Sequence, residues 1–228
     1  MKKEAIKKYT EELGVGGMIL HYICRFLTKA EMQIIGKLTQ RFKKVKKNRL
    51  VFKNREKMDY TDNPRAFSDY LVQNGYNEKY EIIWLVSDKR KFRNIKIRNI
   101  RFVTAENRYG WSSPAAYYYA ATASYFFYSH NSGGLNRFRC QGQQVVNLWH
   151  GCGYKDAEQG RKKSQTSPDF DYALVPGPVF VKTKSLLWNC DPDRLLMMGY
   201  PRYDWMLAPS LQKTEILKRL FGWKGDKA

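Results

Sequence analysis

Short apolar runs, rich in β-branched and aromatic residues, alternate with helical segments from Arg49 onward. Runs of this length predict buried β-strands, and capped segments with apolar periodicity predict helices. Strands separated by helical crossovers favour an α/β fold with a mainly parallel sheet covered on both faces. The predicted strands lie at 49–54, 80–87, 99–104, 124–130, 144–149, 171–177 and 194–198, and the predicted helices at 62–75, 113–123, 178–189 and about 211–221.

The charge of the chain is strongly positive and unevenly distributed. Its 228 residues carry a formal net charge of +20, and residues 1–57 hold 16 Lys or Arg against 5 Asp or Glu. This length predicts one large domain, or one domain with appended pieces. A basic surface indicates an anionic partner, and composition leaves a nucleic acid, an anionic membrane and a polyphosphate substrate open.

The N-terminal segment combines helical periodicity with a polybasic run. Apolar residues recur at helical spacing within 3–47, and RFKKVKKNR (41–49) follows. An amphipathic helix beside such a run is typical of a segment that lies on an anionic membrane. We therefore predict a basic amphipathic membrane-associating segment at 1–47, the alternative being a helix packed on its own domain. The apolar stretch 15–27 is shorter than the roughly 20 residues that span a bilayer, and no signal-peptide cleavage pattern follows it.

Two histidines follow predicted strands. His150 lies in VVNLWHGCGYKD (145–156), directly after a β-branched run, and His130 stands at the end of the strand predicted at 124–130. Ligands of open α/β sheets bind outside the carboxyl ends of the strands, so both rings are expected to line one cleft. A histidine there can accept a proton near neutral pH, although a purely structural, hydrogen-bonded role remains open at this point.

Other motifs carry weaker signals. In GYPRYDWML (199–207), Arg202 offers a planar donor fork for phosphate or carboxylate, and Asp204 either caps the next turn or pairs with Arg202. The four cysteines include no CxxC pair, so neither a zinc site nor a disulfide framework is indicated. Residues 155–168 lack apolar periodicity and are interpreted as a mobile basic loop.

Four segments together resemble one enzyme family. VVNLWHGCGYK (145–155) resembles the QxWHGTxLK segment of CDP-glycerol glycerophosphotransferases, which prime and extend teichoic acids, and MMGYPRYDWML (197–207) resembles their GxPRxDxL segment. The pieces at 50–71 and 80–88 match the family's order. The similarity covers residues 49–208, and its two ordered motifs, some fifty residues apart, make it fairly specific.

This resemblance implies a fold and a reaction. Family members are similar to GT-B glycosyltransferases, whose two Rossmann-like domains face a cleft, and residues 48–208 match the N-terminal, acceptor-side domain. The implied general base is His150, which would deprotonate an acceptor hydroxyl so that its oxygen attacks the phosphorus of CDP-glycerol and CMP leaves. No cofactor is implied beyond CDP-glycerol as donor substrate. The implied substrate-binding residues are His130, Asn131, Gly151, Lys155, Arg202 and Asp204.

The sequence also departs from the family pattern. Cys152-Gly153 replaces the family's Thr-Pro after His-Gly, while Lys155 stands where the family has its lysine. No donor domain is identified before the end at Ala228, so we expect 209–228 to be a linker helix and the chain to be a truncated form, inactive alone. The expected partners are an anionic membrane surface at the cytoplasmic face, a lipid-linked teichoic acid acceptor and a separate donor-domain chain.

Two rival functions are distinguishable by sequence features. A nucleic-acid-binding module would interleave exposed aromatic and basic residues. Instead, tyrosines 117–119 lie on a predicted helix and Phe126 and Phe127 in a predicted strand, which favours core packing and no nucleic-acid partner. A noncatalytic scaffold docked at the membrane remains the second alternative. The sequence leaves the acceptor open among glycerol phosphate, ribitol phosphate and a primer lipid.

Overall fold

A single parallel sheet of seven strands forms the centre of the protein. The computed structural model describes residues 2–54, 59–107, 109–130, 132–135, 137–151 and 168–207. The strand order is β3-β2-β1-β4-β5-β6-β7, and all neighbouring strands run parallel. The predicted α/β fold with a Rossmann-like sheet is confirmed. The strands are β1 (Lys46–Lys53), β2 (Glu81–Val86), β3 (Ile100–Thr104), β4 (Ala123–Tyr128), β5 (Gln144–Asn147), β6 (Tyr172–Val175) and β7 (Leu195–Met197).

α-Helices lie between β1 and β2, between β3 and β4 and between β6 and β7, and local signals explain their ends. Pro64 lies in the first turn of its helix, and Gly75, with φ of 72°, follows the end of that helix. Pro114 stands at the start of another helix, where its missing N–H costs no hydrogen bond. The helices are α1 (Lys2–Phe42), α2 (Asp62–Gln73), α3 (Pro114–Thr122), α4 (Val179–Trp188) and α5 (Tyr203–Leu207), with 3₁₀ turns at Tyr76–Glu78, Lys89–Phe92 and Pro192–Arg194.

Both faces of the sheet are covered by apolar packing. One face packs Val51 and Phe126 against α1, α3 and α4, while the other packs Phe52 and Trp84 against α2 and the segment around Tyr200. The ring of Phe52 stacks on Trp84 at 5.3 Å and on Phe127 at 5.0 Å between centroids, so three neighbouring strands share one aromatic row. Burial on both faces explains why the strands read as continuous apolar runs.

The strand order reverses direction beside β1. The chain builds β1, β2 and β3 outward to one edge, then crosses through α3 to place β4 on the other side of β1. At such a switch point the loops at the carboxyl ends of two neighbouring strands diverge and leave a crevice. The carboxyl ends of β1 and β4 are therefore where the fold favours a ligand.

Helix α1 has one packed face and one exposed face. His21, Cys24 and Thr28 are buried against the domain. At Gly36 an added Cβ would lie 2.3 Å from a ring carbon of Phe138, so only glycine permits this approach. The helix is interrupted at Gly14, where φ is 72° and ψ is 170°. Within the described part of the chain, no helix combines the length and apolarity needed to cross a bilayer.

Some sequence predictions fall outside the residues described. The basic loop predicted at 155–168 does so except for Pro168, and so do the helix predicted at 211–221 and the linker predicted at 209–228. The predicted strand at 194–198 is present as β7, and Gly199, with φ of 71°, turns the chain just after it.

Candidate active site

The two predicted histidines meet at the carboxyl edge of the sheet. His130 follows β4, and His150 follows β5 after the short extension Leu148–Trp149. Their rings stack with centroids 3.9 Å apart and planes inclined by 6°. Both residues are half-buried, so the pair lies at the surface of the crevice rather than inside the core. The fold thus brings together two side chains that are 20 positions apart in sequence.

An unusual backbone conformation aims His150 away from the strand. Trp149 has φ of 50°, in the left-handed region that bulky residues rarely adopt. The Trp149 N–H donates to Asn147 Oδ1 at 2.9 Å, and its carbonyl accepts from Asn63 Nδ2 at 2.8 Å. Asn63 Nδ2 also donates to the Leu148 carbonyl at 3.1 Å, and Asn63 is fully buried. These bonds hold the turn that presents His150.

Arg202 ties the second sequence motif to the first. Its Nη2 donates to the His150 carbonyl at 2.7 Å, and its Nη1 donates to Asp62 Oδ1 at 2.5 Å. Its backbone N–H donates to Asn63 Oδ1 at 3.2 Å. Of the two roles predicted for Asp204, pairing with Arg202 is not found among the described residues: Arg202 pairs with Asp62, 140 positions away, and Asp204 lies exposed in the first turn of α5.

The other implied binding residues have different positions. The Gly151 carbonyl accepts from the Tyr200 hydroxyl at 3.1 Å, and none of the described residues would lie within 4 Å of a Cβ added to Gly151. Asn131 and Lys155 lie outside the described residues.

A polar relay links His130 to the end of β1. The Asn54 amide donates through Nδ2 to the Thr61 carbonyl and hydroxyl at 3.0 and 2.9 Å, so Asn54 Oδ1 is the acceptor for Ser129 Oγ at 2.5 Å. Because the single Ser129 hydroxyl proton points to Asn54, the 2.9 Å contact between Ser129 Oγ and His130 Nδ1 requires Nδ1 to be the donor. The relay therefore fixes the orientation and tautomer of His130.

Aromatic and cationic groups support the opposite side of His150. The Trp149 ring lies 4.1 Å from the His150 ring and packs edge-on against Trp188 at 5.0 Å. Lys184 of α4 is buried, and its Nζ lies 4.8 Å from the centre of the Trp149 ring and 5.2 Å from that of Trp188. Such cation–π contacts hold the Trp149 ring beneath His150.

A second network anchors the loop after His130. Asp169 accepts hydrogen bonds from the Tyr128 hydroxyl and, at 2.8 Å, from Ser132 Oγ. Burial and the neighbouring Asp169 carboxylate raise the pKa of Tyr128, so the phenol stays protonated at neutral pH. The loop between β4 and β5 is thereby attached to the sheet immediately beside the histidine pair.

Sequence reasoning missed most of the supporting side chains. Asn54, Asp62 and Asn63 all lie in the segment that carries the family resemblance, yet no local pattern assigned them a role. Their side chains form the relay and the Arg202 contacts described above. Within the described ranges, no group of three His, Cys, Asp or Glu residues is arranged to hold a metal ion.

Comparisons with solved structures support the fold. The wall teichoic acid polymerase TagF matches with a TM-score of 0.62 at 16% identity, over 92% of this chain and 54% of that one. A TagF variant soaked with CDPG for 30 minutes matches with a TM-score of 0.62 at 18% identity, over 92% and 56%. The same variant soaked for 15 minutes matches with a TM-score of 0.61 at 18% identity, over 89% of this chain and 55% of that one. This chain thus spans about half the length of these structures.

Comparison with sequence families gives the assignment. No curated protein was found to match the sequence. The family model described as CDP-glycerol:poly(glycerophosphate) glycerophosphotransferase matches residues 35–228, which include both histidines and Arg202. The chain belongs to the CDP-glycerol:poly(glycerophosphate) glycerophosphotransferase family.

Proposed function

We propose that this chain provides the acceptor side of a glycerophosphotransferase of teichoic acid synthesis, with His150 as general base. The observation that carries the proposal is the placement of His150 at the carboxyl edge of the sheet, stacked on His130 and fixed through its backbone by Arg202. Parallel α/β sheets bind their ligands at that edge. The family assignment supplies the class of reaction.

In this mechanism the His150 imidazole removes the proton of an acceptor hydroxyl. The freed oxygen attacks the phosphorus that carries glycerol in CDP-glycerol, a new P–O bond forms, and the P–O bond to CMP breaks with its electron pair leaving on CMP. General-base assistance of this kind contributes about 10²–10⁴ in rate.

The donor half of the site is proposed to lie outside this sequence. The matched structures are about twice as long as the chain, and the family resemblance implies a second Rossmann-like domain that binds CDP-glycerol. That domain would face the carboxyl edge that carries His130 and His150, either in the same polypeptide or in a separate chain. Closure of the two domains would exclude water and orient the phosphorus toward His150.

The exposed face of α1 supports the proposed membrane association. Phe26 is 73% exposed, and Ile19, Ile23 and Ile34 are exposed near it. Basic side chains on α1 are also exposed, among them Arg25, Lys29, Lys37 and Arg41. Apolar residues beside cations match an anionic lipid surface, because the apolar groups enter the interface and the cations remain at the headgroups. We propose peripheral binding at the cytoplasmic face.

The catalytic proposal is tested by His150→Gln, which keeps a polar side chain of similar size but removes the base. CMP release from CDP-glycerol is measured with a lipid-linked acceptor, using the full chain alone and the full chain supplemented with a CDP-glycerol-binding domain. In the reaction that releases CMP with the unaltered chain, we expect His150→Gln to lower the rate of CMP release about 10²–10⁴-fold. The unfolding midpoint should not change. A variant that retains full rate would eliminate His150 as the base.

The membrane proposal is tested by flotation with vesicles containing anionic lipid. Phe26→Glu combined with Ile34→Glu places two carboxylates on the exposed face of α1, and we expect vesicle binding to be lost. The matched control is Tyr70→Glu combined with Tyr76→Glu, which changes two exposed aromatic residues away from α1. If the two double variants lose vesicle binding equally, the binding depends on net charge and not on the α1 face.

A further inference from the structure

The histidine pair contains a second ring to which the mechanism above gives no chemical step. His130 and His150 stack with centroids 3.9 Å apart and planes inclined by 6°. The nitrogens of an imidazole donate and accept in the plane of the ring, and in a parallel stack neither plane points at the other ring. The stacked contact is therefore not a hydrogen bond, and through it His130 acts on His150 by packing and by charge.

The ring of His130 is held from its Nδ1 side by buried groups. Ser129 is fully buried directly after β4, and its Oγ lies 2.9 Å from His130 Nδ1 and 2.5 Å from Asn54 Oδ1. Asn54 is also buried and is fixed in its turn, because its Nδ2 donates to the Thr61 hydroxyl at 2.9 Å. The support of His130 thus belongs to the core, whereas the ring itself is half-buried.

This support selects one tautomer of His130. The only proton of the Ser129 hydroxyl goes to Asn54, so Ser129 Oγ meets His130 with a lone pair, and His130 Nδ1 carries a proton. A neutral His130 ring with its proton on Nε2 would instead bring two lone pairs together across 2.9 Å. The neutral ring is therefore held as the Nδ1–H tautomer, and the ring plane on which His150 stacks is held with it.

Stacking also limits the charge that the pair can carry. Two imidazolium rings whose centres are 3.9 Å apart repel each other, because the stacked faces exclude water from between them. When His150 takes the proton of an acceptor hydroxyl it becomes such a cation, so this step requires a neutral His130 beside it. Two sites that interact in this way take up protons as a pair and not as independent groups.

The charged side chains around the pair favour a single charge on it. They come from the end of β1, the start of α2, the segment before β6, α4 and the segment after β7. In that order they are Lys53, Asp62, Asp169, Lys184 and Arg202. Within this described set the cations outnumber the carboxylates by three to two, and Asp62 is already paired with Arg202. A second imidazolium would therefore meet more repulsion than attraction from them.

We propose that His130 is a positioning residue: its ring, held as the neutral Nδ1–H tautomer, fixes the plane of His150 and leaves His150 to take the acceptor's proton. The inference rests on the proposed function, and it differs from the substrate-binding role that the family resemblance implied for His130. Loss of a substrate contact raises KM, whereas loss of a ring that positions the base lowers kcat. Asn54 and Ser129 act on the reaction through His130.

Nuclear magnetic resonance of the full chain tests the tautomer, because two-bond correlations between ring C–H protons and ring nitrogens report which nitrogen is protonated. At pH 8, above the usual titration range of histidine, we expect His130 as the Nδ1–H tautomer. Ser129→Ala should abolish this preference and shift the ring signals of His150 as the stack loosens. Ser124→Ala is the matched control. It removes another buried hydroxyl of β4, which donates to the Arg49 carbonyl at 2.8 Å, and should leave both histidines unchanged.

Titration and kinetics give two further readouts. Between pH 8 and 5 the two rings of the unaltered chain should take up one proton between them, whereas in His130→Phe, which keeps a stacked ring without nitrogens, His150 should titrate alone. His21→Phe makes the same change at the third histidine, on α1, and should leave the shared titration unchanged. In the CMP-release assay, His130→Ala should lower kcat about tenfold to 10²-fold and change KM less than about twofold, and His130→Phe should recover most of the loss.

Three outcomes would overturn the inference: a proton on His130 Nε2 at pH 8, two protons taken up independently by the two rings between pH 8 and 5, or a raised KM with unchanged kcat in His130→Ala. The spectra of the unaltered chain need neither a donor domain nor a folded variant, so they decide in every case. If they contradict the inference while His150→Gln abolishes CMP release, the catalytic proposal stands without a role for His130. If they agree with it while His150→Gln keeps full rate, the general-base proposal fails and the coupled histidine pair stands.

Discussion

The bridge between Arg202 and Asp62 makes a quantitative prediction. The Asp62 side chain is 6% exposed and that of Arg202 is 32% exposed, so Arg202→Leu leaves a nearly buried carboxylate without its cation. Breaking a buried pair in this way costs about 3–5 kcal/mol of the free energy of unfolding. Because Arg202 is partly exposed, the expected loss is at the lower end, about 3 kcal/mol. Urea unfolding followed by circular dichroism measures the change in the free energy of unfolding.

Two further variants separate charge from geometry. Arg202→Lys keeps the charge but a single ammonium cannot reproduce the fork that reaches both Asp62 and the His150 carbonyl, so we expect a loss of about 1–1.5 kcal/mol. Asp62→Asn combined with Arg202→Leu removes both charges and should recover about half of the loss. Asparagine also tolerates the left-handed conformation of Asp62, whose φ is 60°.

The exposed pair of α2 provides the control for this prediction. Arg65 and Asp69 are bonded at 3.3 Å with side chains 45% and 25% exposed, so Arg65→Leu should cost less than about 1 kcal/mol. The reasoning is refuted if Arg202→Leu costs no more than Arg65→Leu. It is also refuted if the double variant loses as much free energy of unfolding as Arg202→Leu and Asp62→Asn lose in sum, since the two charges would then be uncoupled.

Two more predictions concern α1. Gly36→Ala should lower the free energy of unfolding by about 1–3 kcal/mol, because the new Cβ would overlap the Phe138 ring; thermal unfolding measures this, and Phe138→Ala in the same chain should reduce the loss. Because burial and Arg25 lower the pKa of His21, the unfolded chain binds a proton below about pH 6.5 that the folded chain does not, and stability should fall as pH decreases from that value. His21→Phe keeps the ring on Tyr9 and should reduce this slope between pH 7.5 and 5; an unchanged slope would assign it to other groups.

The secondary structure could be predicted because its signals are local. Buried strands such as β2 and β4 are continuous apolar runs, since both faces of the sheet are covered. Pro64 and Gly75 mark the two ends of α2 by their own backbone preferences. The placement of His130 and His150 at one edge followed from the parallel order of the strands, because the carboxyl ends of parallel strands share an edge.

The contacts that orient the site could not be predicted, because they join distant parts of the chain. The spacing of Arg202 and Asp204 suggested a local cap or pair, yet the carboxylate that Arg202 binds is that of Asp62, at the start of α2. Asn63 lies in the first turn of α2, and its side chain donates to the two backbone carbonyls just ahead of His150. A helix-start motif predicts a helix, but it carries no information about which remote backbone its side chains meet.

Asn54 connects the end of β1 to the histidine pair. It stands just after β1, the strand beside which the sheet order reverses, and its side chain reaches the residues after β4. Its amide donates to Thr61 and accepts from Ser129, which leaves one orientation that satisfies both neighbours. Asn54→Ala would remove the acceptor of the Ser129 hydroxyl, and the contact of Ser129 with His130 would change with it. A change at the end of β1 would then reach the histidine pair through two hydrogen bonds, without movement of the sheet.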